Sequence, residues 1–150
     1  TDEVMSIFDP FSKQPLWQSG TFNGNAVTMV AGAAALDHYG ADEVARINTL
    51  GDQLRSRIAL LLEMYGFEAV VTGYGSFGAI HFTGHPVRNY RDAARSNQQL
   101  KKVFHLALLQ EGLFFAPRLM FCISTPMSEA TLAEIDGRFE RALGRLDAVR

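Results

Sequence analysis

Cysteine occurs once in the 150 residues, as Cys122. No disulfide can form within the chain, and the expectation is a protein of a reducing compartment, the cytoplasm. Lysine is nearly as scarce: Lys13, Lys101 and Lys102 are the whole supply, so chemistry that needs a lysine amine must use one of these three. Trp17 is the only tryptophan and reads as a hydrophobic anchor, under a loop or at a subunit contact. Neither sign of charge dominates. Fourteen basic residues against sixteen acidic ones leave a net charge of −2, which supplies no basic face for nucleic acid or for an anionic membrane. No apolar run approaches the roughly 20 residues of a membrane helix. Asp2 and Glu3 stand where a secretory signal would be basic. Repeats and low-complexity tracts are missing.

Chemistry-bearing patterns are thin as well. His38, His81, His85 and His105 have no paired spacing, so a zinc site is not expected. His81 alternates with Ile80 and Phe82 and reads as a solvent-facing or interface strand residue. Cys122, inside an apolar strand, reads as an inert core thiol. Ser76 lies in Gly75-Ser76-Phe77-Gly78, which is not a nucleophile elbow.

The most informative stretch is Gly20-Thr21-Phe22-Asn23-Gly24-Asn25, followed by the small and apolar run Ala26 to Leu36. Glycines allow a tight turn and close approach of backbone to a ligand. The start of a helix offers unpaired N–H groups at the positive end of its dipole, which together attract an anion. Thr21 adds a hydroxyl. The stretch therefore reads either as a phosphate or carboxylate cradle, or simply as a helix capped by Asn23 or Asn25.

The remaining elements follow from periodicity. Pro10 and Pro15 mark residues 9–19 as a loop. A slim, alanine-rich helix is expected over 25–39, stopped by Gly40. Val44, Ile47, Leu50, Leu54, Ile58, Leu61 and Tyr65 recur at steps of three and four and predict a second helix ending at Gly66. Residues 67–72 and 76–82 read as antiparallel strands joined by Gly73-Tyr74-Gly75, with Gly78 marking a bulge or a close backbone contact. Residues 84–96 form a long connection whose Arg88, Arg91 and Arg95 read as a solvated loop or an anion site. Leu100, Val103, Phe104, Ala107 and Leu108 form the stripe of a helix near 97–111, with Lys101 and Lys102 on its solvated face. Strands are expected at 113–115 and 120–124. The last helix starts after a Ser128 cap, buries Leu132, Ile135, Phe139, Leu143 and Leu146, and carries Arg141, Arg145 and Arg150 late, where cations suit the dipole. Helices over one small sheet make an α+β layer structure.

The stretch from Gln18 to Gly32 resembles the segment that follows the cofactor lysine in class III (omega) aminotransferases, which use pyridoxal 5'-phosphate (PLP). The likeness is greatest to the glutamate-1-semialdehyde 2,1-aminomutase group. Pro86-Val87-Arg88-Asn89-Tyr90-Arg91-Asp92-Ala93, Gly112-Leu113-Phe114-Phe115-Ala116-Pro117 and Ile123-Ser124-Thr125-Pro126-Met127-Ser128-Glu129-Ala130 also resemble words of that group, so the likeness spans nearly the whole chain. It implies that Gly20 and Thr21 contact the PLP phosphate across a dimer interface. It further implies an α+β C-terminal small domain with a three- to four-stranded, mostly antiparallel sheet, preceded by a long linking helix. The corresponding division is 1–24 as a remnant of the large PLP domain, 25–40 as the linking helix and 41–150 as the small domain.

Two departures stand out. Ala26 takes the place of the family's usual proline, a mild change in a first helical turn. Arg118-Leu119-Met120 offers no acid where aminomutases usually carry one, which argues against glutamate-1-semialdehyde itself as substrate. The resemblance places the family lysine several tens of residues before the glycine motif, and none of Lys13, Lys101 and Lys102 matches it. The expectation is a C-terminal fragment of a PLP-dependent aminotransferase or aminomutase, inactive alone and dimeric. The alternative is a free-standing, non-catalytic α+β binding module that keeps only the inherited fold.

Overall fold

The computed structural model describes residues 1–147; Arg150, expected late in the last helix, lies outside them. The chain forms two compact units, Thr1–Gly40 and Ala41–Arg150.

The first unit holds a short helix α1 (Asp2–Met5), a 3-10 turn (Ser6–Phe8), an irregular stretch and helix α2 (Ala26–Asp37). The 9–19 loop is as expected. Asn25 takes an extended conformation and its side chain accepts from the Thr28 amide at 3.1 Å, which caps α2. Alanine and valine surround the whole circumference of α2, so it has no amphipathic stripe, and none of its residues is buried. Trp17 is 82 % exposed and anchors nothing within its unit.

The second unit contains the core. Helix α3 (Ala41–Met64) buries Ile47, Leu50, Leu54, Ile58 and Leu62, one face at steps of three and four. Leu61 and Tyr65, expected on that stripe, are only partly buried beside it. Strands β1 (Val70–Tyr74) and β2 (Phe77–His81) form an antiparallel hairpin in register from Val70↔His81 to Tyr74↔Phe77, and β3 (Met120–Cys122) adds antiparallel to β2. The hairpin turn is Gly75-Ser76, two residues on from the expected start, with Gly75 at φ +55. The pairing is continuous through Gly78, so there is no bulge. Gly78 is instead where the Phe121 ring lies, 2.1 Å from the position of an added Cβ.

The hydrogen-bonded sheet has three strands. Leu113 and Phe115 are buried and Phe114 is exposed, a strand-like alternation, yet 113–115 pairs with nothing as a ladder. Its ends are committed elsewhere. The Leu113 amide closes α5 (Gln98–Gln110) by donating to the Leu108 carbonyl, and the Ala116 amide donates to Met120, folding the chain tightly back into β3.

Helix α4 (Tyr90–Ala94) interrupts the long connection, capped by the Asn89 side chain. Arg88, Arg91 and Arg95 are exposed along it. Helix α6 (Glu129–Asp147) packs on α3 and α5, while α3 packs on β1 and β2, so α3 covers one face of the sheet and α5 joins the layer through α6. Through this core runs a row of rings: Phe67–Phe82, Phe82–Phe104 and Phe104–Phe139 at 5.9, 5.6 and 5.2 Å between centroids, each edge to face.

Candidate functional site

Gly20 and Thr21 lie in an exposed turn ahead of α2. The Gly20 carbonyl accepts from the Asn23 amide at 3.0 Å and the Phe22 carbonyl from the Asn25 amide at 3.2 Å. These bonds turn the chain and leave the amides of Gly20, Thr21 and Phe22 and the Thr21 hydroxyl without partners. Solvated donors grouped on one small turn suit the oxygens of a phosphate, so the residues present fit the phosphate end of PLP. The Asn25 cap uses the Thr28 amide and spares the turn's own donors.

The cofactor's aldehyde end has no such counterpart. Lys13 and Lys102 are exposed, and Lys101, expected to be solvated, is 6 % exposed. Its position explains the difference: Lys101, Phe104 and Leu108 are spaced three and four apart and share the buried face of α5. Val103, expected on that stripe, is turned outward.

Lys101 meets a residue that is also not where the sequence suggested. His81 is 8 % exposed, not solvent-facing: Ile80 enters the helix-covered core, and His81 lies on the opposite sheet face, covered by α5. Lys101 Nζ is 3.3 Å from His81 Nδ1, and His81 Nε2 is 3.0 Å from Thr72 Oγ1. An ammonium can only donate, so Nδ1 accepts and the neutral ring carries its proton on Nε2, donated to Thr72. Burial, with the neighbouring Lys101 charge, holds the imidazole below its ordinary pKa, and burial likewise lowers that of Lys101.

His81 and Lys101 floor a cleft of about 440 Å³ with Ala93, Met120 and, at the rim, Tyr90 and Arg118. Arg118 follows Pro117 and precedes Leu119, whose side chain is fully buried while its backbone sits at φ +58. That conformation is costly for a branched residue; the buried side chain holds the turn that presents Arg118. A second cleft of about 390 Å³, lined by Leu113, Phe115, Phe121 and Ile135, is mainly apolar.

Cys122 is exposed, contrary to the core assignment. Alternation along β3 sends Phe121 inward and Cys122 outward. His38 and His85 are exposed and His105 is half-buried. Among the described residues, no three of His, Cys, Asp and Glu come close enough to hold a metal, and no helix is long and apolar enough to cross a membrane.

A three-stranded antiparallel sheet packed with α3, α5 and α6 is consistent with the small α+β domain of PLP-dependent transaminases. The chain superposes on an omega-transaminase from Sphaerobacter thermophilus with a TM-score of 0.86 and 40 % identity, covering 97 % of this chain and 34 % of that one. It also matches a transaminase solved with PLP bound, at a TM-score of 0.82 and 32 % identity over 97 % of this chain and 33 % of the other. In sequence it is 36 % identical over 143 residues to the beta-phenylalanine transaminase of Variovorax paradoxus, which spans 95 % of this chain and 32 % of the relative. It is 34 % identical over 115 residues to a glutamate-1-semialdehyde 2,1-aminomutase of Sorangium cellulosum, spanning 77 % and 26 %. No family model matches.

The chain belongs to the class III aminotransferases and their aminomutase relatives, and matches a C-terminal portion of them. It spans about a third of the length of the curated relatives it matches.

Proposed function

We propose that this chain is the C-terminal part of a PLP-dependent aminotransferase or aminomutase that moves an amino group between an amino acid or amine and a carbonyl compound. In this reading 1–24 is a remnant of the large PLP domain, 25–40 the linking helix and 41–150 the small domain. The observation that carries the reading is the exposed Gly20–Thr21 turn, with unpartnered amides and hydroxyl at the position where the family resemblance calls for a phosphate contact. Gly20 and Thr21 would hold the phosphate. When bound, PLP supplies an electron-withdrawing ring that labilises bonds at the amino-bearing carbon. The chain's own contribution is to bind and orient through the turn. With Lys13 and Lys102 exposed and Lys101 engaged by His81, no lysine stands ready for the cofactor's aldehyde, and the chain alone does not transaminate.

The first unit also supports a homodimer, and the lone Cys122 a cytoplasmic setting. Trp17, Phe22, Val27, Val30 and Leu36 are all exposed, more apolar surface than a short segment keeps in water. A non-catalytic binding module is the second reading, favoured by the lack of a suitable lysine.

The direct test is a titration of PLP with the chain, followed by phosphorus NMR. The phosphate signal moves with the parent chain and moves several-fold less with Thr21→Ala. Equal movement with both removes Thr21 from the site.

A further inference from the structure

Lys101 is a buried amine with no part in the Gly20–Thr21 grip. It lies on the buried face of α5 and reaches the floor of the cleft of about 440 Å³, with Nζ 3.3 Å from His81 Nδ1. Three features of that floor act on the amine together. No carboxylate lines the cleft, and among the described residues Lys101 forms no ion pair, so no opposite charge holds the third proton on Nζ. Burial disfavours the charged form. The His81 ring, whose Nε2 proton goes to Thr72, turns its Nδ1 lone pair towards Nζ. An amine beside a proton acceptor, in a site that penalises its charge, is the arrangement of an activated nucleophile. Lys102, one residue on, is exposed and does not line the cleft.

We propose that Lys101 is a carbon dioxide site, where the amine adds CO2 to form a carbamate and His81 takes up the proton. The ammonium first loses one proton to solvent. The Nζ lone pair then forms a bond to the carbon of CO2, one C=O π pair moves onto oxygen, and the proton displaced from Nζ passes to His81 Nδ1. Nothing is oxidised or reduced. The product is a carbamate anion on Nζ beside an imidazolium, which donates from Nδ1 to a carbamate oxygen and from Nε2 to Thr72 Oγ1, so the buried charges balance. Ala79, Ala93, Ala94 and Met120 make much of the cleft wall apolar. Such a wall suits an uncharged molecule without hydrogen-bond donors, and CO2 needs no anchor besides the amine. The proposal does not rest on PLP binding at Gly20 and Thr21, since the cleft lies wholly within the unit Ala41–Arg150.

The experiment equilibrates the chain with isotope-labelled carbon dioxide and bicarbonate, fixes carbamates with a trialkyloxonium reagent and maps them by peptide mass spectrometry. Carbon NMR follows the unfixed sample. The expected result is a saturable carbamate at Lys101, several-fold more occupied than any at Lys102. Its NMR signal is lost in Lys101→Met and kept in Lys102→Met and Arg118→Gln, and His81→Phe lowers the occupancy several-fold. In the loaded chain the His81 ring titrates at higher pH than in buffer free of CO2, because the Lys101 cation that lowers its pKa has become an anion. The other groups facing the ring, Thr72, Tyr90 and Arg118, include no acid that could do the same. Equal occupancy at Lys101 and Lys102 in the parent chain overturns the proposal, and so does full occupancy in His81→Phe. Should the Lys101 or His81 variant fail to fold, the comparison of Lys101 with Lys102 and the His81 titration in the parent chain decide by themselves.

Discussion

His81 and Lys101 meet through a single hydrogen bond, 3.3 Å from Nδ1 to Nζ, and that bond exists only while the imidazole is neutral. The groups facing this ring are Lys101 from α5, Thr72 from β1, and Tyr90 and Arg118 at the rim of the cleft; none is an acid. Because burial and Lys101 lower the folded pKa below the ordinary 6.5, the unfolded chain takes up its proton first as pH falls. Stability is therefore full above about pH 6.5 and is lost as pH drops from there through the folded pKa. Urea denaturation between pH 8 and 5 will show this fall, and the double variant His81→Phe with Lys101→Met will flatten it. An unchanged slope would contradict the assignment of this fall to His81.

Glu111 gives a separate acid limb. Its carboxylate accepts from Arg141 Nε at 2.7 Å and Arg145 Nε at 2.6 Å, which hold it below the usual carboxylate range. A depressed carboxylate contributes above its unfolded pKa and ceases to as pH falls through the folded one. Glu111→Gln will lower thermal stability at pH 7 and will make little difference near pH 2.

Gly51 and Gly144 are both helical glycines with opposite surroundings. A Cβ at Gly51 would lie 2.2 Å from the Gly75 carbonyl oxygen, whereas nothing lies within 4 Å at Gly144. Gly51→Ala forces the hairpin turn away from α3 and will cost about 1–3 kcal/mol. Gly144→Ala will add about 0.5–1 kcal/mol through helix propensity. Chemical denaturation measures both.

Phe139 and Phe114 test the core assignment. Phe139 is fully buried against Phe104, and Phe114 is 86 % exposed. Phe139→Ala will cost about 3–5 kcal/mol, much of a small domain's stability. Phe114→Ala will stay within about 0.5 kcal/mol. A large loss at Phe114 would restore 113–115 to the structural framework.

Much of the fold was legible because periodicity reports burial. The steps from Ile47 to Ile58, the alternation around Ile80 and the spacing of Leu132, Phe139 and Leu146 each place a face correctly. The fourth strand failed because alternation at Leu113–Phe115 records burial and not a hydrogen-bonding partner. The Lys101 cleft is not legible from residue type, since lysine is ordinarily solvated, although the spacing of Lys101 to Phe104 and Leu108 places it on the buried face of α5. His81 alternates with Ile80 as expected but is covered, and Cys122 is exposed rather than core, because strand pattern alone does not say what packs over each sheet face. The Gly20–Thr21 turn stood out from its glycines and from family resemblance. Nothing local in the sequence distinguished its free donors from those of an ordinary capped helix.

The central claim is that this chain carries a phosphate grip of a PLP enzyme but not the amine that works with it. An amino-transfer assay tests it most directly: the purified chain, saturating PLP, beta-phenylalanine as donor and an excess of 2-oxo acid acceptor, with product followed by chromatography. The account predicts no product above the level of free PLP. Turnover above that level, abolished by replacing any one of Lys13, Lys101 and Lys102, would contradict it.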